Sequence, residues 1–236
     1  MALPNINDNP LYSVSVPSTG KEVKFRPFLV KEQKILMIAF EAQDENQLVT
    51  AMMETVNSCC KDLDSYKLTK IDVDYIFAMI RAKSVGENVT LLSNCKNCNE
   101  QISFAFNIND LKMPEIRNRT QTLELSNDLK IVMKVPSYTD IMAIEGYQQE
   151  LSQSDTISRM VLACVESVQT EDENIIMKDE PLEEKIKFID YLTIEQFEKL
   201  TTFISDMPGI SYDVETVCKN CGSKNTRSLE GIENFF

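Results

Sequence analysis

Four cysteines in two short pairs are the residues of this 236-residue chain with the clearest chemical potential. Cys95 and Cys98 enclose a Lys-Asn dipeptide, and Cys218 and Cys221 enclose the same dipeptide. Two residues between cysteines allow a tight turn to direct both thiolates at one ion, and two such turns complete a tetrahedron. We therefore predict that the four thiolates bind one structural Zn²⁺, with no coordination position left for water.

The long segment between Cys98 and Cys218 is unusual for a zinc ribbon. Closing a loop of this length costs roughly 4–5 kcal/mol. Structural zinc contributes roughly 10–16 kcal/mol in small peptides, so the ion can offset that cost. Three alternatives stay open at this point: two independent pairs of thiols, an iron–sulfur cluster, and a redox dithiol.

The remaining three cysteines are predicted to be structural. Cys164 lies on the apolar face of a predicted helix, where a thiol acts as a small hydrophobic group. Cys59 and Cys60 are adjacent and cannot face the same way, so we expect one of them to be buried. The chain has no histidine, and therefore lacks the commonest general base and the usual ligand of catalytic zinc. These features predict a binding protein rather than an enzyme.

The composition narrows the class of protein further. The formal net charge of −13 argues against a nucleic-acid binder, because phosphate binding requires clustered lysine and arginine. No apolar run approaches the roughly 20 residues of a membrane span. The first five residues lack the basic and apolar regions of a secretory signal. We expect a reducing intracellular setting, in which cysteines are thiols or metal ligands, and we expect no small-molecule substrate.

The hydrophobic pattern predicts an α+β fold with a helical core, β-hairpins and a split zinc-ribbon-like module of four cysteines. A hairpin over 12–25 precedes three helices, and each cysteine pair lies at the tip of a further hairpin. We divide the chain into an N-terminal region with the first cysteine pair, a mostly helical insertion, and a C-terminal region that completes the ribbon with residues 88–108. These three regions span residues 1–112, 113–205 and 206–236.

The insertion has its own predicted elements. Alternating residues predict a hairpin at 121–135. A capping box of Ser137 and Asp140 opens a helix to about Leu151, and helical periodicity from Ile157 continues to Val168. An acidic stretch at 170–185 is predicted to be a solvated loop. Thr193 and Gln196 then form a second capping box, for a helix that Pro208 and Gly209 end.

Two segments near the N-terminus carry a resemblance to a known family. Residues 17–21, Pro-Ser-Thr-Gly-Lys, end like a phosphate loop but join two predicted strands, which favours a hairpin turn. Residues 24–32 then read Lys-Phe-Arg-Pro-Phe-Leu-Val-Lys-Glu, followed by Lys-Ile-Leu at 34–36. In these segments the chain resembles the tail baseplate hub assembly proteins of T4-type contractile-tailed phages. The similarity extends through the following helices and the first cysteine pair.

The resemblance implies an assembly factor or chaperone needed to build the central hub of the baseplate. Its partners would be other hub proteins, and it would work in the host cytoplasm, with a place in the virion baseplate as a further location. Arg26, Pro27 and Phe28 are carried over as a partner-binding segment. Alternatively, Pro27 sets the exit of the strand, Phe28 fills the core and Arg26 pairs with an acid. The rival functions are a permanent subunit of the virion and a thiol-disulfide oxidoreductase that uses one cysteine pair.

Overall fold

A computed structural model of the chain describes residues 9–42, 44–111, 120–144, 153–207 and 209–230. The chain forms two compact units. The first unit comprises residues 1–65, 71–115 and 209–236, and the second comprises residues 66–70 and 116–208. Within the described ranges, no helix is long and apolar enough to cross a membrane.

The first unit begins with the predicted β-hairpin. Strands β1 (Tyr12–Ser15) and β2 (Glu22–Phe25) pair antiparallel. In the turn between them, the amide of Gly20 donates to the carbonyl of Val16 at 2.7 Å, and Gly20 adopts a φ of 67°. Glycine tolerates this left-handed conformation without a steric cost, so the Pro-Ser-Thr-Gly-Lys segment is a hairpin turn.

Three helices follow the hairpin, as the periodicity predicts: α1 (Val30–Glu41), α2 (Glu45–Cys59) and α3 (Lys70–Val85). The core residues of α2 and α3 are almost fully buried, among them Val56, Ile76 and Phe77. We expected one of Cys59 and Cys60 to be buried, and the structure buries both. They lie at the C-terminal end of α2, where the amide of Cys60 still donates to the carbonyl of Val56 at 2.9 Å.

Two further hairpins complete the first unit. Strands β3 (Asn88–Asn94) and β4 (Gln101–Asn107) form one, and the C-terminal strands Ser211–Val217 and Lys224–Glu230 form the other. The hydroxyl of Thr216 donates to the carbonyl of Ser103 at 3.2 Å, and the rings of Phe106 and Tyr212 lie 5.1 Å apart. These contacts pack the two hairpins together, which gives the predicted α+β class with a split ribbon-like module.

The second unit contains a four-stranded antiparallel sheet in sequential order. Its strands are β5 (Thr120–Ser126), β6 (Leu129–Lys134), β7 (Val165–Gln169) and β8 (Asn174–Ile176). Its helices are α4 (Tyr138–Ile144), α5 (Gln153–Cys164), α6 (Leu182–Asp190) and α7 (Ile194–Ser205). The C-terminal strands of the first unit are therefore β9 and β10. The core of the second unit includes Ile131, Met133, Val161, Cys164 and Leu200.

Both capping boxes of the second unit are present. The amide of Asp140 donates to Ser137 Oγ at 3.2 Å, and the amide of Ser137 donates to the Asp140 carboxylate at 2.9 Å. The amide of Gln196 donates to Thr193 Oγ1 at 3.3 Å, and the Gln196 side chain accepts from the Thr193 amide at 2.9 Å. The helix opened by Ser137 was predicted to end near Leu151, which lies outside the described residues. Pro208, at the predicted end of the helix opened by Thr193, also lies outside them.

Two predictions for the second unit are wrong. The helix predicted to reach Val168 ends at Cys164, and residues 165–169 form β7. Val168 pairs with Ile131 on one side and Ile175 on the other, and valine is well suited to such a central strand. The stretch 170–185, predicted to be an acidic loop, contains β8, a short 3₁₀ turn at Met177–Asp179 and the start of α6.

Candidate metal centre

The four cysteines of the two pairs meet at the tips of the hairpins β3–β4 and β9–β10. Their sulfur atoms all lie within 4.8 Å of one another. Sulfurs of different pairs approach closely, at 3.7 Å from Cys95 to Cys221 and 3.6 Å from Cys98 to Cys218. Sulfurs bound tetrahedrally at about 2.3 Å from a zinc ion lie about 3.8 Å apart. The four sulfurs are thus close enough to hold one metal ion.

The two cysteine turns have the same backbone hydrogen bonds. In the first turn the amide of Asn99 donates to the carbonyl of Cys95 at 3.0 Å, and in the second the amide of Gly222 donates to the carbonyl of Cys218 at 2.8 Å. The amide of the first cysteine donates to the carbonyl five residues further on, at 2.8 and 2.9 Å. The fourth residue has a positive φ in both turns, 60° for Asn99 and 71° for Gly222. Asparagine and glycine are the residues that adopt this conformation most readily.

Two asparagines link the turns reciprocally. Asn220, in the second turn, donates its side-chain amide to the sulfur of Cys98 in the first turn at 3.7 Å. Asn97, the equivalent residue of the first turn, hydrogen bonds to Cys221 in the second turn. The repeated Lys-Asn dipeptide therefore supplies one donor from each turn to the last cysteine of the other. Sequence reasoning missed both asparagines, although the identity of the two dipeptides was a signal that pointed to them.

Ser223 and Asn225 add donors from the β10 side of the site. Ser223 Oγ lies 3.3 Å from the sulfur of Cys95 and 3.1 Å from that of Cys221. Asn225 is buried and donates to Cys95 at 3.4 Å, while its side-chain oxygen accepts from the amide of Lys96 at 3.0 Å. Donors to sulfur stabilise the thiolate form, which is the form that binds metals. No sequence pattern marked these two residues.

These surroundings affect the thiols unequally. The Ser223 hydroxyl is the main group that lowers the pKa of Cys95 to about 5, and it also lowers the pKa of Cys221 to about 7. The amide of Glu100 acts to lower the pKa of Cys98, but the neighbouring thiols and burial raise it to about 11. Four clustered thiols cannot all ionise in isolation because their charges repel. A bound cation supplies the compensating charge, so this donor set fits a metal ion.

The buried and exposed members of the cluster are distributed in a regular way. Cys95 and Cys218, the first residue of each pair, are buried at 2% and 1% exposure, whereas Cys221 is exposed and Cys98 is intermediate. All seven cysteines are free thiols. Cys164 is buried in the second unit, where burial raises its pKa to about 12, in keeping with the predicted structural role.

Arg26, Pro27 and Phe28 are not part of the four-cysteine cluster and lie between β2 and α1. The Arg26 guanidinium donates to Glu32 at 2.9 Å and to the carbonyls of Pro27 at 2.9 Å and Ser58 at 3.1 Å. Burial acts to raise the pKa of Glu32, but the hydrogen bond and charge of Arg26, with the amide of Leu29, outweigh it and lower that pKa. Arg26 therefore joins the hairpin, the start of α1 and the end of α2.

A comparison with protein families supplies the family of the chain. A family model described as "T4 bacteriophage base plate protein" matches residues 9–236. The chain belongs to this family. The match covers both units and both cysteine pairs, whereas the resemblance in the sequence was carried by residues 17–36. No curated protein and no solved structure matches the chain.

Membership identifies a bacteriophage baseplate protein, and it indicates the tail baseplate of the virion as the location. Other structural proteins of the phage are the class of partner that follows. For this baseplate protein, the four-cysteine cluster is the candidate site with the most complete geometry among the described residues.

Proposed function

We propose that this baseplate protein is an assembly factor of the central hub, which acts as a chaperone through contacts with other hub proteins. The family match over residues 9–236 is the observation that carries the proposal. The net charge of −13 and the absence of histidine favour protein binding over catalysis. An assembly factor would act in the host cytoplasm before the tail is complete.

Infected cells provide the test of this role. A tagged copy of the full chain, expressed during infection, should copurify with hub proteins, while a tagged copy of an unrelated acidic protein should not. Phage that lack the gene should accumulate tails without hubs. Mass spectrometry of purified virions then distinguishes the rival function. A fixed copy number of this chain in every particle would support a permanent subunit, and normal hubs in the deletion phage would exclude an assembly role.

We further propose that Cys95, Cys98, Cys218 and Cys221 hold one structural Zn²⁺. With four protein ligands the ion has no open position, so it would act as a clasp between two hairpins that are distant in the sequence. Residues 113–205 would then form an insertion between the two halves of the ribbon. Metal analysis of the purified protein should find one zinc per chain. Iron with inorganic sulfide, or visible absorption from such a cluster, would instead indicate an iron–sulfur centre.

One observation favours the oxidoreductase as a second candidate. Cys221 is exposed, and its pKa of about 7 is in the range of reactive thiols. Against it, each sulfur has a close neighbour in the other pair, at 3.6 and 3.7 Å, whereas a redox dithiol uses the two cysteines of one pair. Tightly bound zinc under reducing conditions would exclude this activity. A reversible disulfide within one pair, in protein without metal, would support it.

The segment of Arg26, Pro27 and Phe28 is our proposed contact for hub partners. Phe28 is half-buried and lines a cavity of about 310 Å³ together with Met37, Phe40 and Val85. Phe28→Ala should reduce the yield of copurified hub proteins. Phe188→Ala removes another half-buried ring, from the second unit, and serves as the matched control. Equal yields of hub proteins with the two variants would show that Phe28 is not part of the contact.

A further inference from the structure

The solvent side of α1 is unusually apolar for a surface helix. Val30, Met37 and Ile38 are 65%, 55% and 67% exposed. The opposite side of the helix carries its buried residues, Glu32, Leu36 and Ala39. In a helix that faces water, charged and polar residues normally occupy the side opposite the core. The exposed side of α1 therefore has the character of an interface.

Two charged residues are interleaved with these apolar ones. Lys34 and Glu41 are exposed, and with Val30, Met37 and Ile38 they occupy positions i, i+4, i+7, i+8 and i+11. At 3.6 residues per turn these positions fall on one side of the helix, over a length of about 16 Å. We call these five residues the α1 stripe. The spacing is that of helices that pack side by side along a seam.

The order of charges along the α1 stripe selects the orientation of a second helix. Lys34 precedes the apolar centre and Glu41 follows it. If a second α1 runs antiparallel about a two-fold axis between Met37 and Ile38, Lys34 of each copy lies opposite Glu41 of the other. The same axis places Met37 opposite Ile38. A parallel arrangement would instead bring lysine against lysine and glutamate against glutamate, which is destabilising.

We propose that the α1 stripe is the interface of a homodimer, in which two copies of α1 pack antiparallel around a two-fold axis. Two-fold dimers are the commonest symmetric assemblies, and their interfaces use the same surface twice. Each dimer then contains the Lys34–Glu41 contact twice, so its effect on the dissociation constant counts twice.

The size of the apolar surface fits this assembly. Ile35 and Phe40 flank the α1 stripe and are 46% and 53% exposed. With Val30, Met37 and Ile38 they form a patch on the order of 500 Å², at the upper end of what monomers expose. A standard interface buries about 800 Å² per partner, so this patch supplies most of its apolar centre.

The net charge of the chain opposes self-association. Two copies each carry −13, and their long-range repulsion is strong at low ionic strength. At physiological salt the screening length is about 8 Å, so charges in direct contact matter more than the total. The dimer should therefore be measured at about 0.15 M salt.

Charge exchange in the α1 stripe is the first test. Sedimentation equilibrium of the full chain, at concentrations up to about 100 µM, should give the mass of a dimer for the wild type. Lys34→Glu and Glu41→Lys should each raise the dissociation constant about tenfold, because each creates two like-charge contacts. The double variant restores opposite charges and has the wild-type net charge of −13. It should bind within about threefold of the wild type.

Any of three results from this series would overturn the proposal. The first is a wild-type chain that stays monomeric over the whole concentration range. The second is a dimer whose dissociation constant does not change in either single variant. The third is a double variant whose dissociation constant is as high as that of the weaker-binding single variant. If positions 34 and 41 meet across the axis, the double variant must instead recover affinity.

An apolar-to-charged change tests the centre of the interface. Ile38→Asp should weaken the dimer on the order of 100-fold, since it places two carboxylates beside the axis. Ile194→Asp is the matched control, because Ile194 is 80% exposed in the first turn of α7. Circular dichroism should show both variants folded. The proposal would be overturned if folded Ile38→Asp dimerised with the wild-type dissociation constant. It would also be overturned if Ile194→Asp weakened the dimer as much as Ile38→Asp.

Discussion

Removal of one thiolate from the proposed zinc clasp is the most informative perturbation of the first unit. In Cys95→Ser the hydroxyl that replaces the buried sulfur is a poor zinc ligand, and three thiolates remain. We expect the variant to lose the metal and to unfold at a lower temperature. Cys59→Ser is the matched control, because Cys59 and Cys95 are both 2% exposed but Cys59 lies outside the cluster.

The expected size of the effect follows from two opposing free energies. Structural zinc contributes roughly 10–16 kcal/mol, and closing the loop from Cys98 to Cys218 costs roughly 4–5 kcal/mol. The difference, roughly 5–12 kcal/mol, is comparable with the whole stability of a typical domain. At roughly 2–4 °C for each kcal/mol in a chain of this size, the melting temperature should fall by at least about 10 °C.

The assay combines zinc content with thermal unfolding under reducing conditions. Wild type and Cys59→Ser should each retain one zinc per chain, and the control should lose only the local cost of a buried hydroxyl, about 1–3 kcal/mol. Cys95→Ser and Cys221→Ser should retain little zinc. If both of these variants kept one zinc per chain and the wild-type melting temperature, the clasp would not exist.

Three smaller changes test the surroundings of the site and the junction before α1. Gly222→Ala should lower the free energy of unfolding by about 1 kcal/mol, because Gly222 has a φ of 71°. Gly222→Asn should lower it by less, since asparagine adopts this conformation more readily. Equal losses of free energy in the two variants would show that the backbone conformation is not the cause. Asn220→Ala removes the donor to Cys98 and should weaken zinc binding at least about tenfold in competition with a chelator; an unchanged affinity would contradict this role. Glu32→Gln leaves Arg26 without its carboxylate and should cost about 3 kcal/mol at pH 7. Because the folded-state pKa of Glu32 lies below its ordinary value of 4.5, the wild type has this stabilisation above pH 4.5 and loses it as the pH falls through the folded-state pKa. Urea unfolding should therefore be measured at pH 7 and in acid, where the free energies of unfolding of the wild type and Glu32→Gln should converge. A difference in free energy that is the same at both pH values would contradict this prediction.

The local features of the fold were readable from the sequence. The hairpin before α1, the two capping boxes and the placement of each cysteine pair at a hairpin tip were all predicted. Each depends on residues within about five positions of one another, so spacing and turn chemistry suffice to specify it. The apolar spacing up to Val168 is helical, but the chain leaves the helix after Cys164, and there the prediction failed.

The two errors share a physical cause. Residues 165–169 form β7 because β6 and β8 lie on either side and supply its hydrogen bonds. Residues 174–176, predicted to belong to an acidic loop, form β8 because they pair with β7. In each case the surrounding structure overrides the local pattern, and no short window of sequence contains that structure.

The sequence by itself determined the ligand types, their spacing within each turn and the absence of histidine. It also determined the charge order along α1. Only the tertiary structure decided that sulfurs 120 positions apart in the chain lie 3.6 Å from each other, and that Asn97, Asn220, Ser223 and Asn225 surround them. The reason is that turn geometry acts over a few residues, whereas the approach of two distant hairpins depends on the packing of β4 against β9.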